Sequence, residues 1–383
     1  MNMNKREFLR WVGGAGLVSL APLSGLAQTQ PVGVSPADTG TTLAAAWRQG
    51  TGAGSDFVGL LQLDWAQAQS RIKAAVALPS RSHGLVAQAD GGFVAVAVRP
   101  GSWIVRCDAQ GQAAQWLQMD SEPEGRTLDG HVCASADGQW LYTTETNTRS
   151  GQGWISVRDA RSLRKVAQWR THGVEPHQAL LDATGTLWVA NGGIYRADGD
   201  KKRDLHLMDS SLVRINLENG ERLGQWRLKD QRLGIRHMAW SAPNSAGKVL
   251  LGIALQNEHD DIAQRRSSPV LAVWDGKSLQ TPALAPVGGG YSGDIVAGPQ
   301  GGFVLSCMRA NAALQWSPAN PAELNTVAML QEVGALAPWV SDVHPQGVLM
   351  AAARGVGRWH PQVPAAMLKW PEDLVVDNHW VVV

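Results

Sequence analysis

The chain has little of what usually names a protein's chemistry. It has three cysteines in 383 residues. Cys107, Cys133 and Cys307 lie far apart without a paired motif, which excludes a Cys-rich zinc module and leaves room for one disulfide at most, with one thiol left over. Each sits in an apolar, strand-like run and reads as a small core residue. The formal charge is +1 with both signs interspersed, so there is no basic footprint for nucleic acid and no polybasic membrane anchor. Beyond residue 27 no apolar run is long enough to span a membrane. No sustained helical periodicity is present either, and 42 Gly and 19 Pro are scattered throughout. HExxH, CxxC, GxSxG and Gly-rich phosphate loops are all missing. No motif therefore names a reaction, no catalytic residue is assigned, and a binding protein is expected rather than an enzyme. Only four Phe and three Tyr accompany seventeen Trp; these tryptophans read as packing between repeated units.

The N-terminus is distinct. Met1 to Arg10 is short and basic, Trp11 to Ala27 is apolar but broken by Pro22, and Gly25-Leu26-Ala27 is a small-x-small cleavage site. Residues 1–27 read as an export signal. Asn4-Lys5-Arg6-Glu7-Phe8-Leu9-Arg10 resembles a twin-arginine signal with Lys5 at the first arginine. Residues 28–40 read as a mobile leader, and residues 41–383 as the body, expected to be soluble in the periplasm and monomeric.

The body repeats. A His or Asp stands just before a short apolar run at His83, His131, His177, His237, Asp294, Asp342 and His379, with gaps of 48, 46, 60, 57, 48 and 37 residues. A period of about 40–60 residues is that of a propeller or solenoid. Residues 83–119 hold four strand-like runs, separated by turns at Asp90-Gly91, Pro100-Gly101 and Asp108–Gly111. Gln-Trp recurs at one point of the fourth run at 115–116, 168–169 and 225–226. Thr42–Arg48, Phe57–Leu63 and Arg71–Leu78 lack a first strand, which Asn378–Val383 can supply from the other end. These features predict an all-β, seven-bladed β-propeller of four-stranded blades, closed by pairing N- and C-terminal strands in one blade.

In an antiparallel blade, the start of the first strand and the end of the second share one edge. The seven His and Asp residues would thus converge on one mouth of the channel. An outer rim of Arg48, Arg99, Glu145, Asn191, Asn257, Arg309 and Arg354 would surround them. Two long polar loops, 192–211 and 258–269, would rise on the same face. Imidazole with carboxylate suits iron, copper or zinc, and the arginines suit an anion. The plain alternatives are polar groups that satisfy turn amides, and a solvated rim.

Leu43-Ala-Ala-Ala-Trp47, Ser82-His83-Gly84-Leu85, Trp188–Ile194, Gly234–Ala239 and Asp377-Asn378-His379 together resemble an uncharacterised family of exported bacterial propellers, domain of unknown function 1513. The family continues after its Asn-Gly-Gly-Ile with a His-Pro stretch, where Tyr195-Arg196-Ala197-Asp198 stands here. Its members tend to be encoded beside imelysin-type, iron-linked periplasmic proteins. The resemblance therefore implies a part in iron acquisition or handling, with a periplasmic iron-handling protein as partner.

The expectation is a periplasmic propeller that binds a transition metal, iron or copper, at one channel mouth. Two other functions stay open: a lactonase-like hydrolase in which Glu145, Asn191 and Asp294 hold a hard cation, and a non-catalytic interaction scaffold.

Overall fold

A computed structural model describes residues 40–50, 55–122, 124–197, 200–282, 287–339, 346–371 and 373–383. The expected export signal, most of the leader, and Asp198 and Asp342 lie outside the described residues. Blade 1 combines β1 (Thr41–Gln49), β2 (Asp56–Asp64) and β3 (Gln69–Ala77) with β30 (Leu374–Val382). Blade 2 is β4 (Ser82–Ala87), β5 (Phe93–Ala97), β6 (Trp103–Cys107) and β7 (Ala113–Gln118). Blade 3 is β8 (Arg126–Ala134), β9 (Trp140–Asn147), β10 (Gln152–Asp159) and β11 (Lys165–Val174). Blade 4 is β12 (Pro176–Leu181), β13 (Leu187–Asn191), β16 (Ser211–Ile215) and β17 (Arg222–Trp226). Its long loop carries a small hairpin, β14 (Tyr195–Ala197) and β15 (Lys201–Arg203).

Blade 5 is β18 (Leu233–Trp240), β19 (Leu251–Asn257), β20 (Leu271–Trp274) and β21 (Leu279–Gln280). Blade 6 is β22 (Asp294–Ala297), β23 (Phe303–Cys307), β24 (Ala312–Ser317) and β25 (Asn320–Met329). Blade 7 is β26 (Leu336–Trp339), β27 (Gly347–Ala352), β28 (Gly355–His360) and β29 (Val363–Lys369). The inner strands β30, β4, β8, β12, β18, β22 and β26 lie side by side in that order and return to β30. The result is the seven-bladed propeller that the repeat predicts, closed by β1 pairing with β30 from Leu43↔Val382 to Gln49↔Leu374. The second polar loop holds what the sequence reading missed, a single-turn helix, α1 (Ile262–Ser267). Asp261 Oδ1 caps it by accepting from Gln264 N at 2.7 Å.

Hydrophobic clusters fill each junction between neighbouring blades. One joins blades 1 and 7 through Leu43, Trp47, Trp339 and Leu349; another joins blades 4 and 5 through Trp188, Leu212, Ile253 and Trp274. Every blade is thus covered on both faces, which is why the second strands read as unbroken apolar runs. Burying one Leu, Val or Phe contributes roughly 1.5–3 kcal/mol, and this term is repeated around the ring. The Gln-Trp echo belongs to the same packing. Trp226 stacks on Trp188 with centroids 5.4 Å apart. The Trp169 ring of blade 3 fills the space where Gly220 of blade 4 has no Cβ, an added Cβ lying 1.8 Å from its Cδ1. The three cysteines are buried and unpaired, and burial pushes each thiol up to about 12.

Candidate metal centre

Five inner strands each carry a bulge, and each bulge holds a histidine. Between Ser82↔Ala97 and Leu85↔Ala95, β4 takes three steps to two in β5, with His83 and Gly84 in the excess segment. The same shift frames His177 between Pro176 and Ala179, and His237 between Ile235 and Met238. In blades 3 and 1 the excess is larger. Asp129-Gly130-His131 lies between Leu128 and Val132, and Asp377-Asn378-His379 lies between Val376 and Trp380. A regular strand turns its side chains alternately toward the two neighbouring blades. A bulge re-aims one of them, here toward the axis.

The five imidazoles form a closed ring in blade order. Neighbouring centroids are 4.8 Å (His83–His131), 4.5 Å (His131–His177), 4.6 Å (His177–His237), 4.5 Å (His237–His379) and 4.6 Å (His379–His83) apart. His83, His131, His177 and His237 each offer a ring nitrogen, all within 4.8 Å of one another. His237 Nε2 lies 2.9 Å from His177 Nε2 and 3.0 Å from His379 Nε2. Gly84 and Gly130 permit this approach: a Cβ on Gly84 would lie 2.6 Å from Gly130 O, and one on Gly130 would lie 3.1 Å from His83 Cδ2. Gly130 also has φ +95°, a conformation that favours glycine.

None of the five is more than 8 % exposed. Burial lowers His83 to about 4 against the pull of Asp377. Burial, reinforced by neighbouring imidazoles, holds His131, His177 and His237 well below the ordinary histidine value. They are neutral at pH 7, as metal ligation requires. His131 Nε2, His177 Nδ1 and His237 Nδ1 are buried with no hydrogen-bond partner.

Two carboxylates stand behind the ring. Asp377 Oδ1 is 3.3 Å from His83 Nδ1, and Asp377 also takes two hydrogen bonds from Arg81, at 2.5 and 3.0 Å. Burial alone would raise Asp377, but His83 and Arg81 outweigh it and hold the carboxyl well below its usual range. Asp294 Oδ2 is 3.5 Å from His379 Nδ1 and accepts from Leu336 N at 2.9 Å. Such carboxylates fix the tautomer that turns an Nε2 lone pair inward. Beside the ring, Glu175 holds Arg99, Arg196 and Arg236 together, with Arg99 at 3.1 Å and Arg236 at 3.0 Å. Burial opposes its ionisation, yet the three arginines bring Glu175 down to about 2. Burial pushes Asp129 up to about 7, partly offset by Arg99 and by a hydrogen bond from Thr146.

The structure thus gathers His83, His131, His177, His237 and His379, with Asp294 against His379 rather than within the ring. Asp342 lies outside the described residues. The inner strand of its blade is Leu336–Trp339, earlier in the chain than the opening at Asp342 that the sequence reading gave it; Pro338 hid the true start. The expected rim needs correction. Glu145 is fully buried inside blade 3, where Oε1 accepts from Thr143 at 2.8 Å and Arg158 at 2.7 Å, and Oε2 from Ser156 at 2.8 Å. Both oxygens are taken up within the blade, because β9 runs two residues further than the strand end assumed for it. Asn191 and Asn257 are buried ties, donating to Thr171 O at 3.2 Å and Gly290 O at 2.5 Å. Arg99 is held by Glu175 and Asp200 (3.3 Å) instead of facing solvent. Arg48 pairs with Asp56 at 3.1 Å, Arg309 covers Tyr291 at 4.3 Å, and Arg354 is exposed.

Sequence reasoning missed Asp129, Glu175 and Asp377, although each stands two residues before a ring histidine. That acid-x-His spacing is a second internal echo.

A family model described as "Protein of unknown function (DUF1513)" matches residues 76–383. The chain belongs to this family. No curated protein matches. Among solved structures, the Dos1 propeller is similar over 90% of this chain and 88% of its own, at 9% identity and a TM-score of 0.51. Hydrazine synthase from Kuenenia stuttgartiensis is similar over 76% and 80%, at 13% identity and a TM-score of 0.50. At such identities the likeness shows the fold alone.

Proposed function

We propose that this DUF1513 propeller binds a first-row transition metal, iron or copper, in its five-histidine ring, and works as an exported periplasmic protein in iron acquisition or handling. The observation that carries the reading is the convergence of five buried imidazoles in one closed ring, four of them with ring nitrogens within 4.8 Å of one another, brought there by five separate bulges. Two cis ligands at about 2.1 Å from an octahedral ion lie about 3.0 Å apart. The spacings of 2.9 and 3.0 Å between Nε2 atoms suit such a pair. Neutral imidazole suits iron, copper, nickel and zinc alike, and five of them exceed the four ligands of a structural zinc site. Asp377 and Asp294 offset the cationic charge from behind His83 and His379. The iron link and the periplasm rest on family resemblance and on the sequence of residues 1–27.

Titration of the metal-free protein with Co(II) and Cu(II), read by ligand-field absorption, tests the site. One equivalent should bind with an imidazole-rich spectrum, and the His131→Ala/His177→Ala variant should lose it while staying folded. Unchanged binding by that variant would sink the reading.

A further inference from the structure

The five imidazoles are enclosed, so an ion reaches them only through an opening. A cavity of about 670 Å³ lies on the histidine-bearing face, where blades 6 and 7 bring no histidine. Its wall includes the second-strand ends of blades 1 and 7, at Trp47 and Ala352, and the start of β30. It also includes Ser82 and Asn378, the residues preceding His83 and His379, and Asp377, whose carboxylate touches His83. The cavity and the ring therefore meet at Asp377, which lines the one and touches the other.

The cavity also has a sign. Its ionisable lining is Asp56, Glu332 and Asp377 against Arg48 and Arg81. Arg48 is held by Asp56 and Arg81 by Asp377. Glu332 is exposed, and its carboxylate has no cationic partner among the described residues. Trp47 and Phe57, stacked with centroids 6.2 Å apart, supply apolar wall. A low-dielectric wall around a net negative opening focuses its field and raises the local cation concentration.

We propose that this cavity is the access path by which a hydrated divalent cation reaches the ring, with Glu332 as the collecting carboxylate and Asp377 as the last group before His83. The inference rests on the metal reading of the ring. Stopped-flow loading of the full-length metal-free protein with Co(II) tests it. Glu332→Arg reverses the free charge, and Ala353→Trp fills the cavity from an exposed position. Glu218→Arg, on the exposed turn after β16, makes the same charge change at the opposite end of the propeller. Glu332→Arg should slow loading on the order of tenfold at low salt, and the gap should shrink as salt rises. Ala353→Trp should slow loading at every salt concentration. Both should reach wild-type stoichiometry, and Glu218→Arg should load as the wild type does. Wild-type loading rates in both cavity variants, or equal slowing by Glu218→Arg, would overturn the path. A wild type that takes up no Co(II) would instead overturn the metal reading, and the path with it.

Discussion

Blades 6 and 7 share the four-stranded plan of blades 1 to 5, yet their inner strands behave differently. β22 pairs with β23 from Asp294↔Ser306 to Ala297↔Phe303, and β26 with β27 from Leu336↔Met350 to Trp339↔Gly347, both without a register shift. The inner strands of blades 1 to 5 are all bulged, and only those carry histidine. Apart from Asp294, a regular inner strand serves packing: its side chains enter the two blade interfaces and its edge lines the channel. The bulge gives up ladder pairing to send one side chain inward. Five blades therefore combine packing with a site, and two close the ring of blades. Asp294 links the two kinds, bonding β26 through Leu336 N and His379 through its Nδ1.

The sharpest way to break this contrast is to remove a bulge's freedom. Gly130→Val places a β-branched residue at φ +95° and a Cβ 3.1 Å from His83. It should cost about 3 kcal/mol or more in urea unfolding and abolish metal binding. A valine at Gly334, which is not at positive φ and whose nearest neighbour to an added Cβ is 3.6 Å away, should cost far less.

Acid comes next. His83, His131, His177 and His237 have folded-state values below their unfolded value of 6.5. The unfolded chain therefore binds more protons, and their stabilisation, full above pH 6.5, is lost as pH falls toward about 4. His83 alone accounts for about 3 kcal/mol across that window. Asp129 runs the other way: raised from 3.8 to about 7, it disfavours the folded state as pH rises through that interval. Urea unfolding of the metal-free protein at pH 7, 6 and 5 should show falling stability, and the fall should be steeper in Asp129→Asn.

Smaller effects separate the ring from its supports. Asp377→Asn should weaken metal binding roughly 10–100-fold without unfolding the protein, as loss of a carboxylate behind a ligating histidine does. Asp294→Asn should do less, since His379 sits at a longer 3.5 Å. Arg354→Ala, at an exposed position, should change stability by no more than about 0.5 kcal/mol and leave affinity unchanged.

The fold was legible because strand length, Asp-Gly turns and the Gln-Trp echo are local and repeat; even the closure of blade 1 followed from three strands lacking a fourth. The histidines were legible because the repeat singles out one position. The bulges were not, because an extra residue in one strand shows only against its partner. Asp377 escaped because its bond crosses to the next blade's His83. Blade 7 was misread because Pro338 interrupts its inner strand. Glu145 and Asn191 were misplaced because they stand near strand ends in sequence but are turned into buried networks by partners, Arg158 and Thr171, that spacing does not reveal.

The most direct test is the metal content of the protein purified without chelator or a His tag, measured beside the His131→Ala/His177→Ala variant. About one equivalent of iron or copper in the wild type, absent from the variant, is the predicted result. No metal in either protein, and none taken up when iron or copper is added, would contradict the account.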